Sequence, residues 1–365
     1  MNKKYGFFLI VIFLLIISGC VTMKIYYNVY YVKPFDWYPK EKQDSTINFY
    51  SPYFKRIKIF LDPGHGGTDR KNKGPAGLAV EADLNLKVAL YLRDYLQRAG
   101  AIVNMSRDRD TFISLDDRSR LSNEWGADIF ISIHHNAPAR PDDIYTNYTS
   151  TYYHATQKDY EYDHSSHDIA RYVQRDLAYA MGNSGGLGSF DGTYSDYWIY
   201  PKAGFSVLRK TIGPRILIEC AFHTSAYEEQ RLIIDEFNQI QAWGIFKGLG
   251  RYLRQGIVIL QLEKDSLNLR NEKFLSVIIN DKNIGIDTTF YIAQIDSQNV
   301  EAKFLLNKNS KKILIPLRQD LSTGQHELKV VVRNINGNHS FPFRPKFYVV
   351  NPQNKTPIKK WGNKC

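Results

Sequence analysis

Cysteine is scarce in this chain of 365 residues, which contains only Cys20, Cys220 and Cys365. Three widely separated cysteines make no disulfide framework, so the chain is not a small domain held together by disulfides. Cys220 lies in an apolar run and is interpreted as a small core residue, and Cys365 as an exposed tail thiol. With 43% hydrophobic and 23% charged residues, the chain has the composition of a globular protein and the length for two folded domains.

The sequence also contains no internal repeat and no nucleic-acid-binding motif. Its 48 lysines and arginines exceed its 37 acidic residues, which gives a formal net charge of +11. Such a surface attracts anions without specifying which anion. Because the basic residues are spread along the chain, we expect no nucleic-acid partner.

The amino terminus has the pattern of an export signal. Lys3 and Lys4 precede the apolar run 7–17, which is short for a membrane span, and small residues follow. Ile17-Ser18-Gly19-Cys20 resembles the lipobox of bacterial lipoproteins, in which the cysteine is lipidated and becomes the first mature residue. This resemblance implies a signal peptide over 1–20 and a chain in the cell envelope, held to the outer or cytoplasmic membrane through Cys20. The alternative is an ordinary secretory signal with an incidental cysteine.

Two folded regions are predicted after a tether. Residues 21–56 are rich in Tyr, Lys and Pro without a sustained period, and we interpret them as the tether. Residues 57–255 alternate short apolar runs with amphipathic stretches, which indicates an α/β domain with a mixed or mostly parallel sheet flanked by helices. We predict strands at 57–61, 101–105, 128–133 and 214–220, and helices at 81–99, 114–125, around 169–181 and at 227–253.

The composition changes after Gln255 to β-branched runs separated by turn residues. Residues 326–333 have the short alternating pattern of a strand, and Asn336-Gly337 is a hairpin signal. We therefore predict a smaller all-β module over 256–350, resembling an immunoglobulin-like sandwich, followed by a basic tail over 351–365.

Residues suited to metal chemistry stand at the ends of several predicted elements. Asp62-Pro63-Gly64-His65-Gly66-Gly67 follows one strand, and Ser132-Ile133-His134-His135-Asn136 ends another. Glu81 opens a helix, and Glu219 ends the strand at 214–220. Carboxyl ends of strands are where open α/β sheets bind ligands, so these groups are predicted to meet on one side of the sheet.

Two histidines and one glutamate suit a zinc ion whose fourth position stays open for water. His65, Glu81 and His134 fit this role, and Glu219 fits that of the carboxylate that takes a proton from the attacking water. His135 is the alternative ligand, but alternation along a strand sends it to the opposite face from His134. Without the neighbouring motifs, Glu81 would be interpreted as an ordinary helix-terminus carboxylate.

These motifs, in this order and spacing, resemble the zinc-dependent N-acetylmuramoyl-L-alanine amidases of the amidase-3 type. The resemblance implies one Zn²⁺ held by His65, Glu81 and His134, with Glu219 catalytic. It also implies hydrolysis of the amide between N-acetylmuramic acid and L-alanine in peptidoglycan. Ser206-Val207-Leu208-Arg209 is similar to the family's segment before the catalytic strand, so Arg209 is a candidate substrate-binding residue or a structural one.

The chain departs from the family pattern after Glu219, where Ala221-Phe222 and Ser225 replace a usual Gly-Phe pair and Asn. The segment 138–150 is also longer than the usual connection, which leaves substrate fit open. Two other functions remain: a zinc peptidase or carboxypeptidase acting on the stem peptide, and a peptidoglycan-binding lipoprotein without catalysis. A protein activator is a further open question.

Overall fold

The computed structural model describes residues 29–186, 191–267, 272–307, 310–318 and 320–350. From Tyr31 onward, the described residues belong to one compact unit. The predicted signal peptide with Cys20 and the predicted basic tail with Cys365 lie outside the described residues. Cys220 is fully buried, as predicted.

The segment predicted to be a tether is in large part packed on the domain. Helix α1, Lys40–Phe54, buries Ile47, Tyr50 and Phe54 in the main core. Ahead of it, the buried Trp37 donates its indole N–H to the hydroxyl of Tyr95 at 3.0 Å. The apolar spacing is helical, but Pro52 inside the helix and the prolines before it hide that pattern in the sequence.

A six-stranded sheet forms the centre of the α/β region, in the order β2-β1-β3-β6-β4-β5. The first four strands in this order are parallel, and β4 pairs antiparallel to β6. The strands are β1 (Lys58–Pro63), β2 (Ile102–Met105), β3 (Ile129–Asn136), β4 (Ser150–Tyr153), β5 (Thr193–Ser195) and β6 (Arg215–Phe222). The mixed, mostly parallel sheet is therefore as predicted.

Helices cover both faces of this sheet, and hydrophobic clusters fill the space on each side. The predicted helix 227–253 is instead two helices, because Ile234 has an extended backbone and Asn238 binds the carbonyls of Leu232 and Ile234. The remaining helices are α2 (Glu81–Arg98), α3 (Leu115–Trp125), α4 (His164–Met181), α5 (Ser206–Lys210), α6 (Ala226–Leu232) and α7 (Asp235–Arg254).

The C-terminal region is all-β in its described residues. Two sheets, ordered β11-β10-β14-β15-β8 and β12-β13-β9-β7, enclose one hydrophobic cluster. The Asn336-Gly337 turn lies between residues that pair antiparallel, Arg333 with His339 and Val330 with Phe343. An immunoglobulin-like topology stays a prediction. The strands are β7 (Ile259–Leu262), β8 (Ser266–Leu267), β9 (Phe274–Asn280), β10 (Ile286–Ile295), β11 (Gln298–Asn299), β12 (Lys303–Asn307), β13 (Ser310–Pro316), β14 (Gly324–Asn334) and β15 (Lys346–Val349).

The β module packs directly on the α/β region. Asp168 accepts the backbone N–H of His339 at 2.8 Å and lies 2.8 Å from its ring Nδ1. Lys329 and Arg344 both donate to the carbonyl oxygen of Tyr160, at 2.8 and 3.0 Å. These contacts join the module to α4 and to the loop before it, so residues 256–350 are not an independent appendage.

We expect Arg344→Ala to lower the midpoint of thermal unfolding by a few degrees. The guanidinium donates to the carbonyls of Tyr160 and Tyr162 and lies over the Tyr160 ring, 5.3 Å from its centroid. Losing these contacts costs about 1 to 2 kcal/mol. Thermal unfolding followed by circular dichroism measures the effect, with the exposed Lys346→Ala as the matched control. Equal midpoints for the two variants would contradict a stabilising role for this contact.

Candidate metal centre

The predicted metal-binding residues meet at the carboxyl edge of the parallel strands. His65 follows β1, His134 lies near the end of β3, and Glu219 lies beside His134 in the pairing of β3 with β6. Glu81 is the first residue of α2. Parallel strands bring their carboxyl ends to one edge, which explains why residues so distant in sequence come together here.

Two buried arginines hold the loop that carries His65. Arg107 donates to the carbonyls of Pro63 at 2.9 Å and Gly64 at 2.8 Å, and Arg118 donates to the carbonyl of His65 at 2.9 Å. Arg118 also pairs with the fully buried Asp62 at 2.7 Å. Burial, followed by the charge of Arg118, lowers the pKa of Arg107 to about 10. Because these carbonyls are held in place, the side chain of His65 projects from the loop in a defined direction.

The glycines of this loop are required by space and by backbone conformation. A Cβ atom on Gly64 would lie 2.1 Å from the ring of His134, so only glycine fits there. Gly66 and Gly67 have φ values of +120° and +60°, in the region that favours glycine. The absence of a side chain at Gly64 lets the loop that carries His65 approach the ring of His134.

His65 and His134 both face the buried carboxylate of Glu81. His65 Nε2 lies 3.1 Å from Glu81 Oε2, and His134 Nδ1 lies 3.0 Å from Oε1. One potential ligand atom from each residue falls within 4.8 Å of the other two. The three side chains that the sequence predicts as ligands are therefore brought together.

The electrostatics of this cluster favour positive charge. Burial opposes the charged form of His65, but its hydrogen bonds to Glu81 and Asp69 outweigh burial and raise its pKa to about 9. For Glu81, burial raises the pKa, yet the hydrogen bonds and charges of the two imidazoles hold it well below its usual value. A carboxylate that stays ionised while buried between two imidazoles suits a cation.

Further polar residues, which were not predicted from the sequence, orient the side chains of His65 and Glu81. Asp69 lies 2.7 Å from His65 Nδ1, which leaves Nε2 to face Glu81. Asn72 donates to Glu81 Oε2 at 2.6 Å, and Asn85 donates to Oε1 at 3.3 Å. Such partners fix the tautomer and direction of metal ligands.

We expect Asp69→Asn to weaken zinc binding by about 10- to 100-fold, the usual cost of losing such a partner. The uncharged amide oxygen accepts a weaker hydrogen bond from the ring N–H than the carboxylate does, so the His65 ring is held less firmly in its orientation. Competition for zinc against a chromogenic chelator measures the affinity, and Asp116→Asn, at an exposed carboxylate, is the control. Unchanged affinity in Asp69→Asn would show that the pair does not orient the ring.

His135 points away from the cluster, on the face that strand alternation predicts. Its Nδ1 lies 2.8 Å from Asn85 Oδ1, and its Nε2 lies 2.9 Å from Gln241 Oε1. Burial lowers its pKa to about 4, so the ring is neutral at ordinary pH. His135 therefore connects β3 to α2 and α7 in the core.

Glu219 lies beside the cluster without hydrogen-bonding to it. Its Oε2 atom is closed off from solvent and has no hydrogen-bond partner among the described residues. Burial, followed by the negative charge of Glu81, raises its pKa well above the usual value. An unsatisfied carboxylate oxygen is costly in the interior and marks a group that a ligand or water completes.

A cleft of about 610 Å³ opens onto these residues. Its lining includes the polar residues His65, Asp69 and Asn72 and the aromatic residues Tyr200 and Phe205. Arg209 also lines the cleft, where its Nη1 donates to the carbonyl of Ala203. Because this contact already occupies part of the guanidinium, the substrate-binding role of Arg209 stays a prediction.

An α/β sheet with two imidazoles and a carboxylate at its carboxyl edge, beside a further carboxylate, has the ligand types of a hydrolytic metal site that opens onto a cleft. The chain belongs to the Amidase_3 family, N-acetylmuramoyl-L-alanine amidase, whose model matches residues 59–251. The match spans the sheet and the helices from α2 onward, excludes α1, and ends near the end of α7, before the β module.

The chain is similar to named amidases of two organisms. The germination-specific N-acetylmuramoyl-L-alanine amidase of Bacillus subtilis strain 168 is 30% identical over 232 residues, 60% of this chain and 88% of that protein. The amidase LytC of the same organism is 33% identical over 198 residues, 54% of this chain and 35% of that protein. The solved N-acetylmuramoyl-L-alanine amidase from Clostridium difficile 630 is 33% identical, with a TM-score of 0.46 over 55% of this chain and 98% of that chain.

Proposed function

We propose that this chain is a zinc-dependent hydrolase that cleaves the amide between N-acetylmuramic acid and L-alanine in peptidoglycan. One observation carries the proposal: His65, Glu81 and His134 present ligand atoms within 4.8 Å of one another, in the cleft that Glu219 also lines. Membership of the amidase family supports the substrate.

The residues present fit zinc. Catalytic zinc sites use neutral imidazoles and carboxylates as ligands, and three protein ligands leave a position for water or substrate. His65 would release its ring proton on binding the ion. Zinc held there supplies a Lewis acid that polarises the scissile carbonyl and lowers the pKa of water. The buried, ionised Glu81 supplies the negative charge that holds the cation in the cleft.

Glu219 moves the proton in this proposal. As a carboxylate it takes a proton from water as the water oxygen adds to the lactyl carbonyl carbon, and it then gives that proton to the L-alanine nitrogen. The carbon–nitrogen bond breaks, which leaves a carboxylic acid on the sugar and a free amine on the peptide. Burial raises the pKa of Glu219, which makes its carboxylate a stronger base for the first transfer.

The export signal and the lipidation of Cys20 belong to the same proposal. They would hold the protein in the cell envelope, where its net charge of +11 attracts the carboxylates of peptidoglycan. Among the described residues, no helix has the length and apolar character needed to cross a membrane.

Product analysis tests the proposed bond. Purified peptidoglycan is digested, and mass spectrometry identifies the released fragments. We expect intact stem peptides that begin with L-alanine, together with glycan strands that keep their lactyl groups. Fragments cut within the stem peptide would assign the site to a peptidase or carboxypeptidase, and the absence of any released fragment would leave a peptidoglycan-binding protein.

A further inference from the structure

A row of aromatic rings extends from the metal cleft along one wall. Tyr200 contacts Phe205 with ring centroids 5.7 Å apart, and Phe205 contacts Tyr152 at 5.4 Å. Tyr194 continues the row, 5.7 Å from Tyr152 and 6.2 Å from Trp198. We call these five residues the aromatic wall.

Three residues of the aromatic wall lie in or against the protein core. Tyr152 and Tyr194 are buried in the same hydrophobic cluster as Leu208 and Leu217, beside the central sheet. Phe205 packs against that cluster. Trp198 and Tyr200 therefore contact residues that are held in place by the core, as a preformed binding surface requires.

The turn that carries Trp198 and Tyr200 is fixed by a buried carboxylate. Asp196, which is fully buried, accepts the backbone N–H of Phe205 at 2.8 Å and of Ala155 at 3.0 Å. It also lies 2.9 Å from Nδ1 of the buried His154. Its backbone oxygen accepts the N–H of Tyr200 at 3.0 Å. These bonds keep both ends of the turn in place.

The two other residues of the aromatic wall are exposed to solvent. Trp198 is 71% exposed and Tyr200 is 54% exposed, although large aromatic side chains usually bury most of their surface. Tyr200 also lines the metal cleft, and Trp198 lies two residues before it in the same turn. Exposed apolar surface next to a cleft is typical of a ligand-binding groove.

We propose that Trp198 and Tyr200 form a subsite for the sugar rings of the glycan strand, an assignment that rests on the proposed function. A pyranose ring has an apolar face of C–H groups that packs on an aromatic face. The indole N–H and the phenol hydroxyl meet its polar edge. The side chains of the wall carry no charge, which fits an uncharged N-acetylated sugar better than the carboxylates of a stem peptide.

Binding of a peptide-free, uncharged oligosaccharide of N-acetylglucosamine tests this subsite by titration calorimetry. We expect the double variant Trp198→Ala, Tyr200→Ala to weaken binding by about tenfold, the scale of two lost ring contacts. Trp198→Tyr and Tyr200→Phe each keep a ring and should stay within about threefold of the unmodified protein. Tyr179→Ala, an equally exposed tyrosine on α4, is the control and should bind as the unmodified protein does.

The subsite is wrong if the double variant binds within about twofold of the unmodified protein, or if the unmodified protein does not bind the oligosaccharide. Because this ligand contains no peptide, its affinity is independent of amide hydrolysis. Binding that the double variant loses, in a protein that releases no peptide, would keep the subsite and reject the proposed hydrolysis. Released peptide, together with unchanged oligosaccharide binding in the double variant, would reject the subsite and keep the proposed hydrolysis.

Discussion

Replacing Glu219 by glutamine is expected to lower turnover by about 10²-fold or more while the zinc content stays at the level of the unmodified protein. The amide keeps the size of the side chain but cannot accept the proton of water. Metal binding should survive because Glu219 makes no hydrogen bond to His65, Glu81 or His134 among the described residues, and these three already supply the ligands.

Zinc content and hydrolysis of a soluble muropeptide are both measured on the same preparation of each variant. Glu236→Gln, the same change at a carboxylate that pairs with Lys33 away from the cleft, is the control and should keep both. Turnover close to that of the unmodified protein in Glu219→Gln would remove Glu219 from the mechanism. Loss of zinc would make Glu219 a fourth ligand and the site a closed, structural one.

His65→Ala and His134→Ala are each expected to lose bound zinc and, with it, hydrolysis. Each change removes one of three ligands, and two remaining protein ligands do not hold zinc in an open site. The fold should largely remain, because both rings face the cleft and neither belongs to the hydrophobic core.

Elemental analysis of the purified variants measures the metal, and circular dichroism checks the fold. His326→Ala, in the β module, is the matched control and should keep its zinc. Full zinc occupancy in His134→Ala would contradict the ligand assignment, and His135→Ala would then be the next variant to analyse.

The elements that position the site were predictable because the sequence marks them locally. Short apolar runs that end in glycine or histidine predict β1 and β3, and α2 has helical apolar spacing from Glu81 onward. Ser114, at the start of the predicted helix 114–125, accepts the N–H of Asp117 at 3.1 Å and caps α3. Strand alternation separates His134 from His135 without any knowledge of the fold.

The residues that were not predicted from the sequence either act across long separations or lie in an irregular loop. Arg107 and Arg118 hold the His65 loop from positions more than forty residues away, and nothing in their own segments indicates this. Asp69 and Asn72 lie in an irregular loop, where polar residues have no period to interpret. The break before α7 depends on Asn238 binding carbonyls of the preceding turn, which apolar spacing alone does not signal.

Removal and return of zinc tests whether hydrolysis depends on the proposed metal site. The purified protein is treated with a chelator, dialysed, and supplied with increasing zinc while the release of L-alanine-terminated peptide from peptidoglycan is measured. We predict that activity disappears on chelation and returns fully at one zinc ion per chain, since one cluster of His65, Glu81 and His134 is present in the described residues. Peptide release that persists in the metal-free protein would contradict zinc-dependent hydrolysis.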